Sequence, residues 1–292
     1  MNQGEHNRFS ECGWLGRFSS VFTPPGTNTP DLVESITGRV YVAKSAEAFT
    51  HDDDGNLLSD GRFIYTWDGE NRLIAVETRA DLPASVPRVK VTYQYDPHSR
   101  RIGKEVSRRG AEAQGWNVEE SRTFLYDGWN MIRDIQFSNI PSFHSSTNSY
   151  VWGLDLSGSL QGAGGVGGLL AVVKDSATYV PAWDGNGNVS EYVSTDGTLA
   201  AHYEYSPFGE TVVKTGQIVD AFTHRFSTKY WEAEAKLYHY GYRYSLSELG
   251  RWLNRDPEEE EYVRNLYLFL NNESLGLIDY LGLYPQVYPA KN

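Results

Sequence analysis

Apolar residues recur along this chain in short runs that alternate with polar residues and end at a polar turn. In the clearest copies the run closes with an aromatic residue and an aspartate, and a second apolar run follows, as at 64–68 before 71–74 and at 92–96 before 100–102. Weaker copies lie at 123–128, 183–189 and 203–209. Because alternation with a period of two places every second side chain on the same face of a strand, each copy is predicted to be one arm of a β-hairpin.

The aromatic positions of these repeats predict how the hairpins pack. Tyr93 and Tyr95 fall on one strand face, as do Tyr203 and Tyr205, where they can stack against aromatic rings of the next strand. The closing aspartate can accept hydrogen bonds from backbone N–H groups of the turn, and the Gly or Asn that follows tolerates a positive φ. Hairpins with one aromatic face must stack in series to bury it, so we expect an all-β fold with a long antiparallel sheet that wraps or spirals.

Changes in repeat content and composition divide the chain into four parts. Residues 1–45 are irregular and turn-rich, as in the interior of a longer protein, and residues 46–220 hold the repeats. Residues 221–283 carry dense aromatics with clustered charges, which predicts a small mixed C-terminal core, and 284–292 form a short tail.

Composition narrows the classes of function. Aromatic residues make up 14% of the chain and glycines number 28, which suits strands and turns. The formal net charge of −12 opposes binding to nucleic acid. Cys12 is the single cysteine, so no internal disulfide and no cysteine-based zinc site is expected. We see neither a secretory signal nor an apolar stretch long enough to span a membrane.

The C-terminal part contains several motifs in a fixed order, at 224–231, 237–244, 249–257, 265–267, 271–272 and 278–283. Together they closely resemble an RHS-repeat-associated core domain, and the upstream tyrosine-aspartate modules resemble the YD or RHS repeats that precede such cores. The resemblance implies a hollow β-shell around a C-terminal effector or toxin domain, as in bacterial polymorphic toxins, the C components of insecticidal toxin complexes and the related teneurins. The implied partners are such a cargo or further shell segments.

The same resemblance implies one catalytic activity, a single cut in the protein's own backbone. The family's two aspartates correspond to Asp256 and Asp279, and the implied scissile bond joins Leu283 to Tyr284. Two carboxylates held close together share one proton, which is how an aspartyl protease activates water, and Arg255 could favour the charged partner. The family's proline and glycine are replaced by Tyr280 and Glu259, beside an acidic run at 258–261 that would raise a nearby carboxyl pKa. The alternative is that both aspartates only cap turns.

Other signals have simpler structural interpretations. Residues 162–167 match a dinucleotide-binding glycine pattern but no helix pattern follows, so a connection between strands is expected. Hairpin or solvated turns explain the oxygen-rich segments 184–188 and 51–56 better than a bound cation does, and His239 is expected to pack within a sheet. We therefore predict no metal and no cofactor.

Two other functions stay open: an aromatic face that binds a glycan or a surface protein, and a truncated remnant. If the chain belongs to an export system, we expect a bacterial protein that is secreted or on the cell surface.

Overall fold

The computed structural model describes residues 46–110, 115–139, 145–258 and 265–287, and also the backbone of strands β1 (Trp14–Phe22) and β2 (Leu32–Val40). β1 and β2 pair in antiparallel fashion along their whole length. Cys12, Glu259 and the rest of the acidic run through residue 261 lie outside the described residues, as does the end of the tail from residue 288.

The repeats form a single antiparallel sheet of 14 strands within the described part of the chain, and each strand pairs with its neighbours in sequence. The strands are β3 (Thr50–His51), β4 (Leu57–Ser59), β5 (Phe63–Trp67), β6 (Leu73–Thr78), β7 (Arg88–Tyr95), β8 (Arg101–Arg109), β9 (Asn117–Asp127), β10 (Asn130–Ser138), β11 (Ser146–Trp152), β12 (Leu169–Lys174), β13 (Ala177–Trp183), β14 (Val189–Ser194), β15 (Leu199–Tyr205) and β16 (Thr211–Thr215). The prediction of an all-β antiparallel fold is confirmed.

The turns of the sheet behave as the repeat pattern predicts. The Oδ1 atoms of Asp68, Asp96 and Asp184 each accept hydrogen bonds from the backbone N–H groups two and four residues later, at 2.9–3.0 Å. The residue three positions after the aspartate has a positive φ, as at Asn71, where it is 57°. At Asp184 the second carboxylate oxygen accepts the side-chain amide of Asn188 at 2.8 Å, so this carboxylate serves a hairpin turn, as expected.

The C-terminal part of the described chain is built from short strands. A four-stranded sheet contains β17 (Tyr230–Glu232), β18 (Leu237–His239), β19 (Tyr244–Leu246) and β20 (Arg251–Trp252), and a separate pair contains β21 (Ile278–Tyr280) and β22 (Tyr284–Gln286). Short 3-10 helices lie at Val219–Ala221, Phe226–Thr228 and Leu270–Asn272.

The four-stranded sheet packs on the apolar face of the large sheet. Tyr65 and Tyr93 of the large sheet share one buried cluster with Leu237 and Tyr244 of the small one. Tyr93 and Tyr244 have ring centroids 5.6 Å apart. Tyr203 and Tyr205, expected on one face of β15, are stacked with centroids 6.2 Å apart.

A buried charge cluster also joins the two sheets. Arg101 of β8 forms an ion pair with Glu232 of β17, and both side chains are fully buried. Lys104 pairs with Glu232 at 2.7 Å and with Glu234 at 2.8 Å, and the Arg101 guanidinium lies 4.6 Å from the Tyr230 ring centroid. The C-terminal strands are therefore tied to the large sheet by charge as well as by apolar contact.

Candidate active site

Arg243 occupies the centre of the candidate site. It lies in the turn between β18 and β19, and its side chain is buried against Trp252, with the guanidinium carbon 4.2 Å from the ring centroid. Its Nη2 atom is 2.7 Å from Oδ2 of Asp256 and 3.9 Å from Oδ2 of Asp279. The structure thus brings the two aspartates of the sequence analysis to one buried cation.

Each aspartate also caps a turn, but through its other oxygen. Asp256 follows β20, and its Oδ1 accepts the backbone N–H of Glu258 at 3.0 Å. Asp279 is the central residue of β21, and its Oδ1 accepts the backbone N–H groups of Gly282 and Leu283, the latter at 3.1 Å. The Oδ1 atom of each aspartate is therefore used to cap a turn. The Oδ2 atom of each faces Arg243 and does not take part in capping.

The protonation of the pair follows from burial and from the arginine. Burial raises the pKa of Asp279 to about 6, although Arg243 opposes the shift. Burial also raises the pKa of Asp256, again against the effect of Arg243. Since Asp256 is the nearer to the guanidinium, its ionised form is the better stabilised, and a proton shared by the pair resides on Asp279.

The predicted scissile bond lies beside the same guanidinium. Arg243 Nη2 donates a hydrogen bond to the carbonyl oxygen of Leu283 at 3.2 Å, and Nε donates to the carbonyl oxygen of Gly282. The Leu283 N–H is held by Asp279 and by the Tyr280 carbonyl oxygen at 3.0 Å. Tyr284 then starts β22 opposite Tyr280. The Leu283 carbonyl oxygen is therefore placed where a cation would stabilise negative charge.

The turn that carries this bond has little freedom. Leu281 and Gly282 have positive φ values of 58° and 77°. A Cβ atom at position 282 would lie 3.0 Å from the backbone nitrogen of Arg243, so the turn and the arginine are in direct backbone contact. Glycine is the residue that fits such a position.

Arg255 does not occupy the position expected for it. Its side chain is exposed, and no ion pair joins it to Asp256 although both are described residues. The Arg255 side chain lies beside Gly55, where an added Cβ atom would be 2.6 Å from its Cδ, so being next in sequence does not make Arg255 the partner of Asp256. Arg243 is the partner instead. The sequence did contain a signal for this partner, because Arg243 lies within the aromatic run 238–244. An arginine in a run that becomes buried needs a buried carboxylate as its partner.

The other signals have structural roles. His239 is buried, with its ring centroid 4.8 Å from that of Tyr244, which agrees with the expected packing role. Residues 162–167 form turns and no helix follows them. Within the described residues, no group of three or more His, Cys, Asp or Glu side chains could hold a metal ion. No described helix is long and apolar enough to cross a membrane.

A glycan-stacking surface needs exposed aromatic rings. Among the described residues, the large aromatic side chains that are exposed are Phe49, Phe137 and Tyr242, and Tyr242 is 36% exposed. The tyrosines of the repeats lie instead in the buried clusters between the sheets.

Comparison with solved structures defines the class of fold. The TcdB2-TccC3 crystal structure superposes with a TM-score of 0.63 and 20% identity over 80% of this chain and 11% of that chain. A Photorhabdus luminescens Tc holotoxin pore gives a TM-score of 0.63 and 19% identity over 83% of this chain and 11% of that chain. The protein therefore has an all-β fold shared with Tc toxin structures.

Similar sequences belong to toxin proteins. The tRNA3(Ser)-specific nuclease WapA of Bacillus spizizenii is 26% identical over 240 residues, 80% of this chain and 9% of the relative. The double-stranded DNA deaminase toxin A of Burkholderia cenocepacia is 24% identical over 249 residues, 80% of this chain and 17% of the relative. The toxin subunit YenC2 of Yersinia entomophaga is 38% identical over 96 residues, 32% of this chain and 10% of the relative.

No family model matches the chain. The similarities nevertheless support the RHS-type resemblance and relate this chain to toxin-associated proteins. The chain spans 9%, 17% and 10% of the lengths of the three relatives.

Proposed function

We propose that this chain is a shell segment of an RHS-type toxin-associated protein, and that its C-terminal core cuts the backbone once between Leu283 and Tyr284. The observation that carries the proposal is the convergence on Arg243 of three groups: the Asp256 carboxylate, the Asp279 carboxyl group and the Leu283 carbonyl oxygen.

The proposed reaction is hydrolysis by a shared-proton pair. Asp256, ionised beside Arg243, takes a proton from a water molecule as the hydroxide attacks the Leu283 carbonyl carbon. The oxyanion forms on the Leu283 oxygen, where Arg243 Nη2 already donates a hydrogen bond. Asp279 gives its proton to the Tyr284 nitrogen as the C–N bond breaks. Water and one peptide bond yield a carboxylic acid at Leu283 and an amine at Tyr284, and Asp256 ends with the proton that Asp279 has lost, so a proton passing back from Asp256 to Asp279 restores the pair.

The buried setting suits a reaction that happens once. Asp256, Asp279 and Arg243 are each at most 5% exposed, so the site can hold the protein's own strand but has little room for a second polypeptide. In this proposal the large sheet encloses or displays a toxin cargo, or joins other shell segments. The glycan-binding alternative has less support, because most described repeat tyrosines are buried.

Denaturing mass spectrometry of the purified chain tests the cut. The wild type is expected to end at Leu283, having lost the nine residues from Tyr284 to Asn292, whereas Asp256→Asn and Asp279→Asn are expected to stay full length. Asp220→Asn is the control, since it removes an aspartate outside the C-terminal core whose side chain is 72% exposed. A full-length wild-type chain would overturn the proposed self-cleavage.

A further inference from the structure

The glycine-rich connection at 162–168, which the proposed reaction does not use, packs directly on β21. Ala163 and Val166 are fully buried and share an apolar cluster with Ile278, the residue before Asp279. Asp155 holds the connection in shape, because its Oδ2 accepts the backbone N–H groups of Ala163 at 2.7 Å and Gly165 at 3.1 Å. The connection therefore supports the strand that bears one of the two aspartates.

Gly164 brings this connection against the turn before the predicted cut. Its φ is +61°, and a Cβ atom there would lie 3.2 Å from the backbone nitrogen of Leu281. The same Cβ position would be 3.2 Å from Nζ of Lys229. Gly164 is therefore in close contact with both Lys229 and Leu281.

Lys229 is a buried ammonium at that point. It precedes β17, is 6% exposed, and donates a hydrogen bond from Nζ to the carbonyl oxygen of Gly164 at 2.7 Å. Nζ lies 5.4 Å from the ring centroid of Tyr240. A buried ammonium is costly unless it is paired, yet among the described residues no carboxylate forms an ion pair with it.

The charged groups around Lys229 show what its charge can act on. Burial lowers the pKa of Lys229 to about 8, against the opposing effects of Asp279 and Asp155. In turn Lys229 is one of the cations that lower the pKa of Asp279, with Arg243, whereas Asp256 raises it. His224 and His239 also face Lys229, and burial lowers both of their pKa values, that of His224 to about 3, so both rings are neutral.

We propose that Lys229 is a positioning residue for the self-cleavage: it fastens the glycine connection against the turn at 280–283, and its charge sets how Asp279 shares a proton with Asp256. This inference rests on the proposed function. It assigns a role to a lysine that touches neither the predicted scissile bond nor the Oδ2 atoms beside Arg243.

The direction of the effect follows from the sign of the charge. Removing the positive charge of Lys229 removes one influence that favours ionised Asp279, so the pKa of Asp279 must rise. If Asp279 is the proton donor, cleavage falls off as pH rises through that pKa, and this falling limb moves to higher pH in Lys229→Met. Lys229→Arg keeps the charge and should keep the limb where it is. A lysine with only a structural role would lower the rate at every pH without moving the limb.

The first measurement does not depend on cleavage. In the Asp256→Asn background, which keeps the chain whole in either case, the Asp279 carboxyl carbon is titrated by ¹³C NMR. Adding Lys229→Met is expected to raise its titration midpoint by about half a pH unit or more. Adding Lys236→Met, an exposed lysine of the same segment that pairs with Glu248 at 3.2 Å, is expected to leave it unchanged. An unchanged midpoint in the Lys229→Met protein would overturn the inference.

The second measurement follows the cut itself. Full-length chains purified in urea are refolded at a series of pH values from about pH 5 to about pH 9, and the fraction ending at Leu283 is followed with time. A falling limb that moves upward in Lys229→Met but not in Lys229→Arg or Lys236→Met supports the inference. If the wild type is cut and the limb stays in place, the role of Lys229 is wrong and self-cleavage stands. If the wild type is never cut, self-cleavage fails and the NMR titration still decides whether Lys229 controls Asp279.

Discussion

Arg243 donates a hydrogen bond from Nη2 to the carbonyl oxygen of Leu283, and the same nitrogen pairs with the carboxylate of Asp256 at 2.7 Å. One guanidinium group therefore contacts both the proposed base and the bond to be cut. The other two nitrogens of its planar fork donate to the carbonyl oxygens of Gly282 and Leu266, which holds Nη2 in place, whereas a lysine ammonium has no such fork.

Replacing this arginine should remove both cleavage and stability. In Arg243→Gln the two buried aspartates lose their countercharge, and we expect no cut and a loss of about 3–5 kcal/mol in the free energy of unfolding. Mass spectrometry measures the first effect, and urea unfolding in the uncut Asp279→Asn background, which keeps the 2.7 Å pair between Arg243 and Asp256, measures the second. Arg255→Gln is the matched control, with an expected change within about 0.5 kcal/mol because its side chain is exposed. Equal effects of the two substitutions would contradict the assignment.

The buried ion pair between the sheets should contribute more to the free energy of unfolding than an exposed ion pair in the C-terminal core does. Glu232→Gln leaves Arg101 and Lys104 buried without their shared carboxylate, and we expect a loss of about 3–5 kcal/mol. Glu248→Gln breaks a pair with Lys236 in which both side chains are largely exposed, and should cost about 0–1 kcal/mol. Urea unfolding of both variants in an uncut background checks the difference, and similar losses would show that burial does not matter here.

Asp279 should make the folded chain less stable as pH rises. Its pKa is raised to about 6 in the folded state, so the folded protein binds more protons than the unfolded chain between about pH 4 and pH 6, and stability falls across this window by about 1–3 kcal/mol. Unfolding free energies of Asp256→Asn with and without Asp279→Asn, measured at several pH values, test this, and the fall in that background is expected at the lower end of the range because Asp256 no longer raises the pKa of Asp279. The double variant should lack that part of the fall, and identical pH profiles would count against the raised pKa.

Gly282 should be needed for the geometry of the turn. Gly282→Ala adds a Cβ atom 3.0 Å from the backbone nitrogen of Arg243 at a φ of 77°, so we expect slower cleavage and a loss of about 1–2 kcal/mol. Gly185→Ala is the control, because a Cβ there meets nothing within 4 Å. Refolding from urea gives the cleavage rates, and wild-type rates in Gly282→Ala would show that the turn tolerates the side chain.

Short-range sequence patterns predicted the hairpins and their turns, which depend on contacts between residues close in sequence. Alternation and the Tyr-Asp ending foretold the hairpins, since Asp68 and Asp96 bind backbone groups within four residues. The pairing of Asp256 with Asp279 came from the resemblance alone, and the structure brings them together. Arg243 as their partner was not foreseen, because its contacts depend on how the turn before β19 meets the end of β20 and β21. The Arg101–Glu232 pair spans 131 residues, and no pattern of short period can reveal such a contact.

The Arg101–Glu232 pair also has a consequence for timing. The segment that carries Arg243, Asp256 and Asp279 is paired to a strand that lies 131 residues earlier in the chain, so we expect the candidate site to assemble after that strand has joined the sheet. A cut at Leu283 would then depend on correct folding of the sheet. A chain with an unfinished sheet would keep its tail attached, and the presence of a new end at Leu283 would report that the sheet had been completed.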